Sequence, residues 1–81
     1  MQLSFGIITL KKGSSTGYHK HDGEFEAMYI LEGEGIHNDN GTTYRVSAGD
    51  MTITEDGESH SLENVGETDL KFIALVLKSN K

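Results

Sequence analysis

The segment Gly35-Ile36-His37-Asn38-Asp39-Asn40-Gly41-Thr42-Thr43-Tyr44-Arg45-Val46-Ser47 carries the clearest fold signal in the chain. Asn40-Gly41 tolerates the positive φ angles of a two-residue type I′ turn, whose twist matches that of the strands it joins. The segment therefore predicts a hairpin, with strands over 35–38 and 42–47. Outward from it, 3–10, 25–31, 51–54 and 59–64 read as further short strands, rich in β-branched and aromatic residues or bounded by turn residues. The run 70–77 is nearly all apolar, as expected for a strand buried on both faces. A C-terminal helix is the alternative there. Ten glycines and no proline leave segments too short for helices of about 11 residues. The expectation is an all-β sandwich or barrel.

The chain has 81 residues, enough for a single domain over 1–81. A domain of this size has a marginal core and usually needs a staple. With no cysteine, disulfides and thiolate metal sites are excluded, and a metal or a partner chain remains. Thirteen acidic residues against seven Lys and Arg give a net charge of −6. That balance argues against nucleic acid and against an anionic membrane surface as partners. No run approaches the ~18 apolar residues of a membrane span, and the N-terminal lysines follow the apolar run, where a secretory signal has the reverse order. The expected location is the cytoplasm.

The chemistry lies in Gly13-Ser-Ser-Thr-Gly17-Tyr18-His19-Lys20-His21-Asp22-Gly23-Glu24-Phe25-Glu26. On a strand, His19 and His21 leave the same face and Lys20 leaves the other. Glu26 opens the next strand, and an adjacent antiparallel strand would set its carboxylate against the imidazole pair. Two imidazoles and one carboxylate suit a divalent first-row metal with open positions. Each residue alone has a plainer reading: exposed histidines, a solvated strand glutamate and, for His60, a turn residue some forty positions away.

Two longer patterns sharpen this. Gly13, five residues, His19-x-His21, four residues, Glu26, six residues, Gly33 is followed by Gly49, five residues, Glu55-x-Gly57, two residues, His60, three residues, Asn64. In this order the chain resembles the cupin family, with one departure: Glu55 stands where the family usually has proline. The resemblance spans 13–64. It implies a small antiparallel jelly-roll β-barrel of near-minimal length that binds a metal through His19, His21, Glu26 and His60. It makes Gly33 and Gly49 turn glycines and gives Asn64 a structural role, and the short barrel favours a homodimer. The acidic turn Glu55-Asp56-Gly57-Glu58 is a solvated turn that also places negative charge near one rim, which opposes a sugar phosphate.

A ligand set of nitrogen and oxygen suits Mn, Fe, Co, Ni, Cu or Zn without choosing among them. Neutral imidazoles are required, so binding should weaken below about pH 6. Strand parity from Glu26 turns Met28 and Ile30 inward. Tyr44 and Val46 are expected inside and Arg45 outside. For His37 there are two readings: hydrophobicity turns Ile36 in and His37 out, whereas the cupin resemblance turns His37 in as a pocket imidazole, which is the reading adopted. Met28, Ile30, His37 and Tyr44 are thus the candidate ligand-binding wall. The functional expectation is a metal-dependent enzyme on a small oxygen-rich metabolite, isomerase/epimerase-like or dioxygenase-like. The alternative is a non-catalytic small-ligand binding or sensing module. A dinucleotide site at Gly33-Glu34-Gly35 and a serine hydrolase at Ser59-His60-Ser61 fail for want of a following helix and of a nucleophile elbow.

Overall fold

The computed structural model describes residues 3–78 and is all-β over that range. Eight strands run β1 (Leu3–Leu10), β2 (His19–Lys20), β3 (Glu24–Glu32), β4 (Glu34–Asp39), β5 (Thr42–Ser47), β6 (Met51–Thr54), β7 (Ser59–Asn64) and β8 (Leu70–Lys78). They form two antiparallel four-stranded sheets, ordered β1-β8-β3-β6 and β2-β7-β4-β5, that enclose one interior in a jelly-roll path. Among the described residues no helix is long and apolar enough to cross a membrane.

The β4–β5 turn is as the sequence requires: Asn40 and Gly41 both have positive φ, 52° and 94°, and the flanking ladder runs in register from Asp39↔Thr42 to Glu34↔Ser47. Gly33, between β3 and β4, has φ 89°, and a Cβ there would run into the Asp69 carbonyl oxygen. Only glycine combines that backbone with that approach. Asn64 at the end of β7 is buried and ties three chain segments together. Its side-chain amide donates to the carbonyls of Leu10 (2.9 Å) and Thr68 (2.8 Å), and its Oδ1 accepts from the Gly66 N–H (2.9 Å).

Residues directly opposed across a ladder share a face of the sheet. On the inner face of the first sheet one row holds Ile8, Phe72 and Ile30, the next Gly6, Ala74, Met28 and Thr52, and the last Ser4, Val76, Glu26 and Thr54. Leu10, Met28, Ile30, Val46, Leu62, Leu70, Phe72 and Ala74 make the apolar core. The interior is thus apolar at one end and polar at the other. Glu26 and Thr54 mark the polar end.

Two sequence expectations are corrected here. β8 is a strand, not a helix, but it is not buried on both faces. Leu70, Phe72 and Ala74 are buried while Lys71, Ile73, Leu75 and Leu77 are only partly covered, because no layer packs on the outer side. The segment carrying His19 and His21 does not pair with β3. It pairs with β7, placing His19 opposite His60, and Glu26 belongs to the other sheet. The cause is a crossing between sheets at 21–24: the His21 N–H bonds to the Glu58 carbonyl, the Gly57 N–H to the His21 carbonyl, and the Gly23 N–H to Asp56 Oδ1. These bonds hold the chain against the β6–β7 loop, so Glu26 reaches the histidines across the barrel instead of along a ladder.

The outer face of the first sheet carries two apolar rows, Phe5-Leu75-Ala27-Ile53 and Ile7-Ile73-Tyr29-Met51. β6 shows the consequence most sharply. In Met51-Thr52-Ile53-Thr54 the two threonines are buried and the two apolar residues are exposed.

Candidate metal centre

His19, His21, Glu26 and His60 come together, each offering one ligand atom, and the four atoms all lie within 4.8 Å of one another. β2 and β7 supply His19 and His60 from one sheet, β3 supplies Glu26 from the other, and His21 lies on the crossing between them. His21, Glu26 and His60 are buried, and His19 closes the group from the solvent side. Lys20 is exposed and outside the group.

The outward ring nitrogens set the tautomers of two histidines. His19 Nδ1–H donates to the Gly17 carbonyl (2.9 Å) and His21 Nδ1–H to Glu24 Oε1 (3.0 Å), while His60 Nδ1 and the Thr54 hydroxyl share a hydrogen bond of 2.8 Å. A neutral imidazole carries one N–H, so Nε2 of His19 and His21 keep their lone pairs, as does Nε2 of His60 when its Nδ1 donates to Thr54. Those lone pairs face one another: His19 Nε2 is 3.2 Å from His21 Nε2, and His21 Nε2 is 2.9 Å from His60 Nε2. They also face Glu26 Oε1, at 2.8 Å from His21 and 3.0 Å from His60. Burial pushes the Glu26 carboxyl up, but the His60 and His21 imidazoles beside it outweigh this and hold the group below its ordinary value. It is therefore an anion at neutral pH. With all three imidazoles neutral in these tautomers, three nitrogen lone pairs and a carboxylate meet without a hydrogen among them, which is mutually repulsive in a buried site. A cation relieves this, and the donor set fits a divalent metal ion.

Glu24 and Thr54 belong to the candidate site, and reading the sequence missed both. Each holds a ligand imidazole by its far nitrogen, the arrangement that orients a metal-bound histidine and raises its basicity. Glu24 sits three residues after His21 across the Asp22-Gly23 turn. Thr54 pairs with Glu26 in the β3–β6 ladder. Thr54→Val keeps the shape and removes the acceptor. The expected result is a loss of metal affinity of about tenfold with little change in the far-UV circular dichroism, measured by competition against a chromophoric chelator.

The candidate wall residues are distributed as follows. Met28 and Ile30 are buried inside, with Ile30 against Phe72 in the apolar core. His37 is fully buried, settling the two readings in favour of the inward one; Ile36 is only partly covered. Its Nε2 lies 3.2 Å from His60 Nδ1, and its own Nδ1 has no hydrogen-bond partner, as is also true of the buried Thr52 hydroxyl. Burial, then the charge at His60, lowers the His37 imidazole below its ordinary value against opposing pulls from Asp39 and Glu26, so it is neutral at pH 7. Tyr44 shares the inward side of β5 with buried Val46, but it stands at the open end and is 41% exposed. Its ring lies 5.3 Å from that of His37, and burial together with Asp39 raises its phenol. Arg45 is exposed, near Glu34. Among the described residues no lysine or arginine is buried.

The comparisons with known proteins agree with this architecture. The family described as Cupin domain matches residues 6–76. An oxalate-binding protein of Thermotoga maritima is 53% identical over 73 residues, covering 90% of this chain and 60% of the relative. An uncharacterized protein of Methanocaldococcus jannaschii is 36% identical over 61 residues, covering 75% of this chain and 49% of the relative. A solved structure from Thermotoga maritima, described as a predicted oxalate decarboxylase, superposes with a TM-score of 0.90 at 53% identity, covering 91% of this chain and 64% of that one. The cupin domain of Schizosaccharomyces pombe Cnp3 superposes with a TM-score of 0.91 at 18% identity, covering 95% and 56%, a likeness of fold alone. The chain thus spans about half to two-thirds of the length of these relatives.

Proposed function

The chain belongs to the Cupin domain family, and from that premise we propose that it holds one divalent transition-metal ion on His19, His21, Glu26 and His60 and uses it to bind a small oxygen-rich acid. The observation that carries this is the convergence of three imidazole nitrogens and one carboxylate oxygen on a single point. Metal–ligand bonds of about 2.1 Å put neighbouring donors about 3.0 Å apart on a six-coordinate ion and about 3.4 Å apart on a tetrahedral one. The four shortest contacts, 2.8–3.2 Å, are near the former, within a group that spans up to 4.8 Å. The donor set suits Mn, Fe, Co, Ni, Cu or Zn, and a six-coordinate ion would leave two positions open for a chelating ligand.

When bound, the metal supplies a Lewis acid and two adjacent sites for ligand oxygens. The chain's own residues do the rest. Gly17, Glu24 and Thr54 hold the imidazoles in their binding tautomers, and Met28, Ile30 and His37 form an interior from which bulk water is largely excluded, with Tyr44 at its mouth. Among the described residues no buried lysine or arginine adds to the metal's charge, and Glu26 and Glu24 oppose it, so the ligand is kept by chelation more than by net charge.

The name of the Thermotoga relative makes oxalate the first ligand to test. Binding without conversion fits the interior better than turnover does. Beyond the ligands and their partners, the interior offers one neutral, enclosed imidazole as proton carrier. Turnover is the second reading, favoured by the description of the solved Thermotoga structure. Calorimetric titration of oxalate into protein loaded with Mn²⁺, Co²⁺ or Ni²⁺, with formate and carbon dioxide assayed in parallel, separates them. The expected result is saturable, metal-dependent binding with no formate. Steady formate production would establish the second reading, and failure of every loaded form to bind oxalate or related small chelating acids would overturn the proposal.

A further inference from the structure

We propose that Asn40 is a deamidation site, and that its side-chain amide is the latch that seats residues 58–60 at the metal centre. Asn40 alone of the four asparagines is followed by glycine. It stands exposed in the β4–β5 turn, at φ 52°. Its amide ties that turn to the start of β7, nearly twenty residues on. Oδ1 accepts from the Ser59 N–H (2.8 Å), Nδ2 donates to Glu58 Oε2 (3.0 Å), and the Asn40 backbone N–H donates to the Ser59 carbonyl (2.9 Å).

The partners of this amide adjoin the metal ligands. The Glu58 carbonyl accepts from the His21 N–H (2.9 Å), and Ser59 precedes His60. In the β2–β7 ladder Ser59 pairs with Lys20 and His60 with His19. One side chain on the turn therefore holds the segment against which all three ligand imidazoles are set. The Glu58 carboxylate is itself fixed, because its other oxygen accepts from the Glu55 N–H (2.8 Å).

The modification consumes only water. The Gly41 backbone nitrogen loses its proton and attacks Asn40 Cγ. The Cγ–Nδ2 bond breaks and ammonia leaves, giving a five-membered cyclic imide. Water then opens the imide at either carbonyl, leaving aspartate or isoaspartate. Glycine permits the attack because no Cβ crowds the nitrogen, and asparagine is one of the thermally labile residues. In the seated turn the attack is blocked: the Gly41 N–H donates to Asn38 Oδ1 (2.8 Å), and the Asn40 amide is turned to β7. The latch must open first, and a metal on His21 and His60 holds it shut. The product does not relatch. Aspartate sets a carboxylate against the fixed carboxylate of Glu58 where an amide had donated, and isoaspartate lengthens a two-residue turn by a methylene. The effect on affinity rests on the metal reading above; the latch itself does not.

Peptide mapping by mass spectrometry, on the whole chain held warm in mildly alkaline buffer with and without Co²⁺, reads the modification. The expected result is conversion at Asn40 with little at Asn38 or Asn64, slowed about tenfold or more by bound metal because the ion suppresses opening. Asn40→Asp should bind Co²⁺ about tenfold more weakly than the wild type, as loss of an outer support does. Asn40→Asp/Glu58→Gln should recover most of that, because the new amide donates to the new carboxylate. Urea midpoints of the metal-free forms should fall and recover in the same order. No conversion at Asn40, equal rates with and without bound metal, or an Asn40→Asp variant as stable and as tight as the wild type would overturn the proposal. So would a loss that Glu58→Gln leaves unrepaired, which would make Asn40 merely structural. A wild type that takes up no Co²⁺ would count against the metal reading instead, and the mapping and urea midpoints would still decide the latch.

Discussion

Stripping the metal with a strong chelator is expected to lower the thermal unfolding midpoint by roughly 15–30 °C. A ligand that binds only the folded state stabilises it by about 4 kcal/mol at a thousandfold excess over its Kd, and each kcal/mol moves the midpoint of a chain this small by about 4–8 °C. The four ligand atoms are brought together only by the fold, because His60 and Glu26 are 34 residues apart and lie on different sheets. The unfolded chain has no comparable site, so nearly all of the binding energy appears as folding energy. Differential scanning calorimetry before and after chelation, with metal added back, checks this. A midpoint that ignores both steps would mean that the buried lone-pair cluster is tolerated without a cation.

Glu26→Gln should separate metal binding from stability of the metal-free fold. The substitution keeps the volume and removes the one ligand charge. Metal affinity should fall by more than the roughly 10–100-fold that losing an outer hydrogen-bond partner costs, because an anionic donor is lost outright. The metal-free variant should be at least as stable as the metal-free wild type. The new amide can donate to His21 Nε2 and His60 Nε2, which now face the carboxylate oxygen at 2.8 and 3.0 Å, and so replaces repulsion with hydrogen bonds. Calorimetric metal titration and chemical denaturation of the metal-free forms give the two readings. A variant that binds metal within tenfold of the wild type would remove Glu26 from the ligand set.

Much of this was legible in the sequence, for physical reasons that differ along the chain. β1, β5, β6 and β7 occupy the expected residues because turn chemistry bounds them, and the Asn40-Gly41 turn follows from φ preferences alone. The ligand set was less direct. Parity made His19 and His21 point one way, but only the cupin resemblance brought in His60. The chain crossing at 21–24 was hidden, since the bonds that hold it run to a loop more than thirty residues away. β8 misled, and β6 shows the cause. Alternation normally turns apolar residues inward. Here the inner face at the metal end is polar and the outer face of the same sheet is apolar, so Thr52 and Thr54 point in while Met51 and Ile53 point out. The sequence reading assigned no facing to β6 and so did not single out Thr54, and it took β8 as buried on both sides because the outer face is as apolar as the inner one.

The measurement that bears most directly on the converging donors is metal stoichiometry. Protein freed of metal, refolded and titrated at neutral pH with Mn²⁺, Co²⁺ and Ni²⁺ should take up one ion per chain, and the Co²⁺ form should show the weak visible bands of a six-coordinate ion. A folded protein that binds none of these ions at that pH would contradict the account at its root.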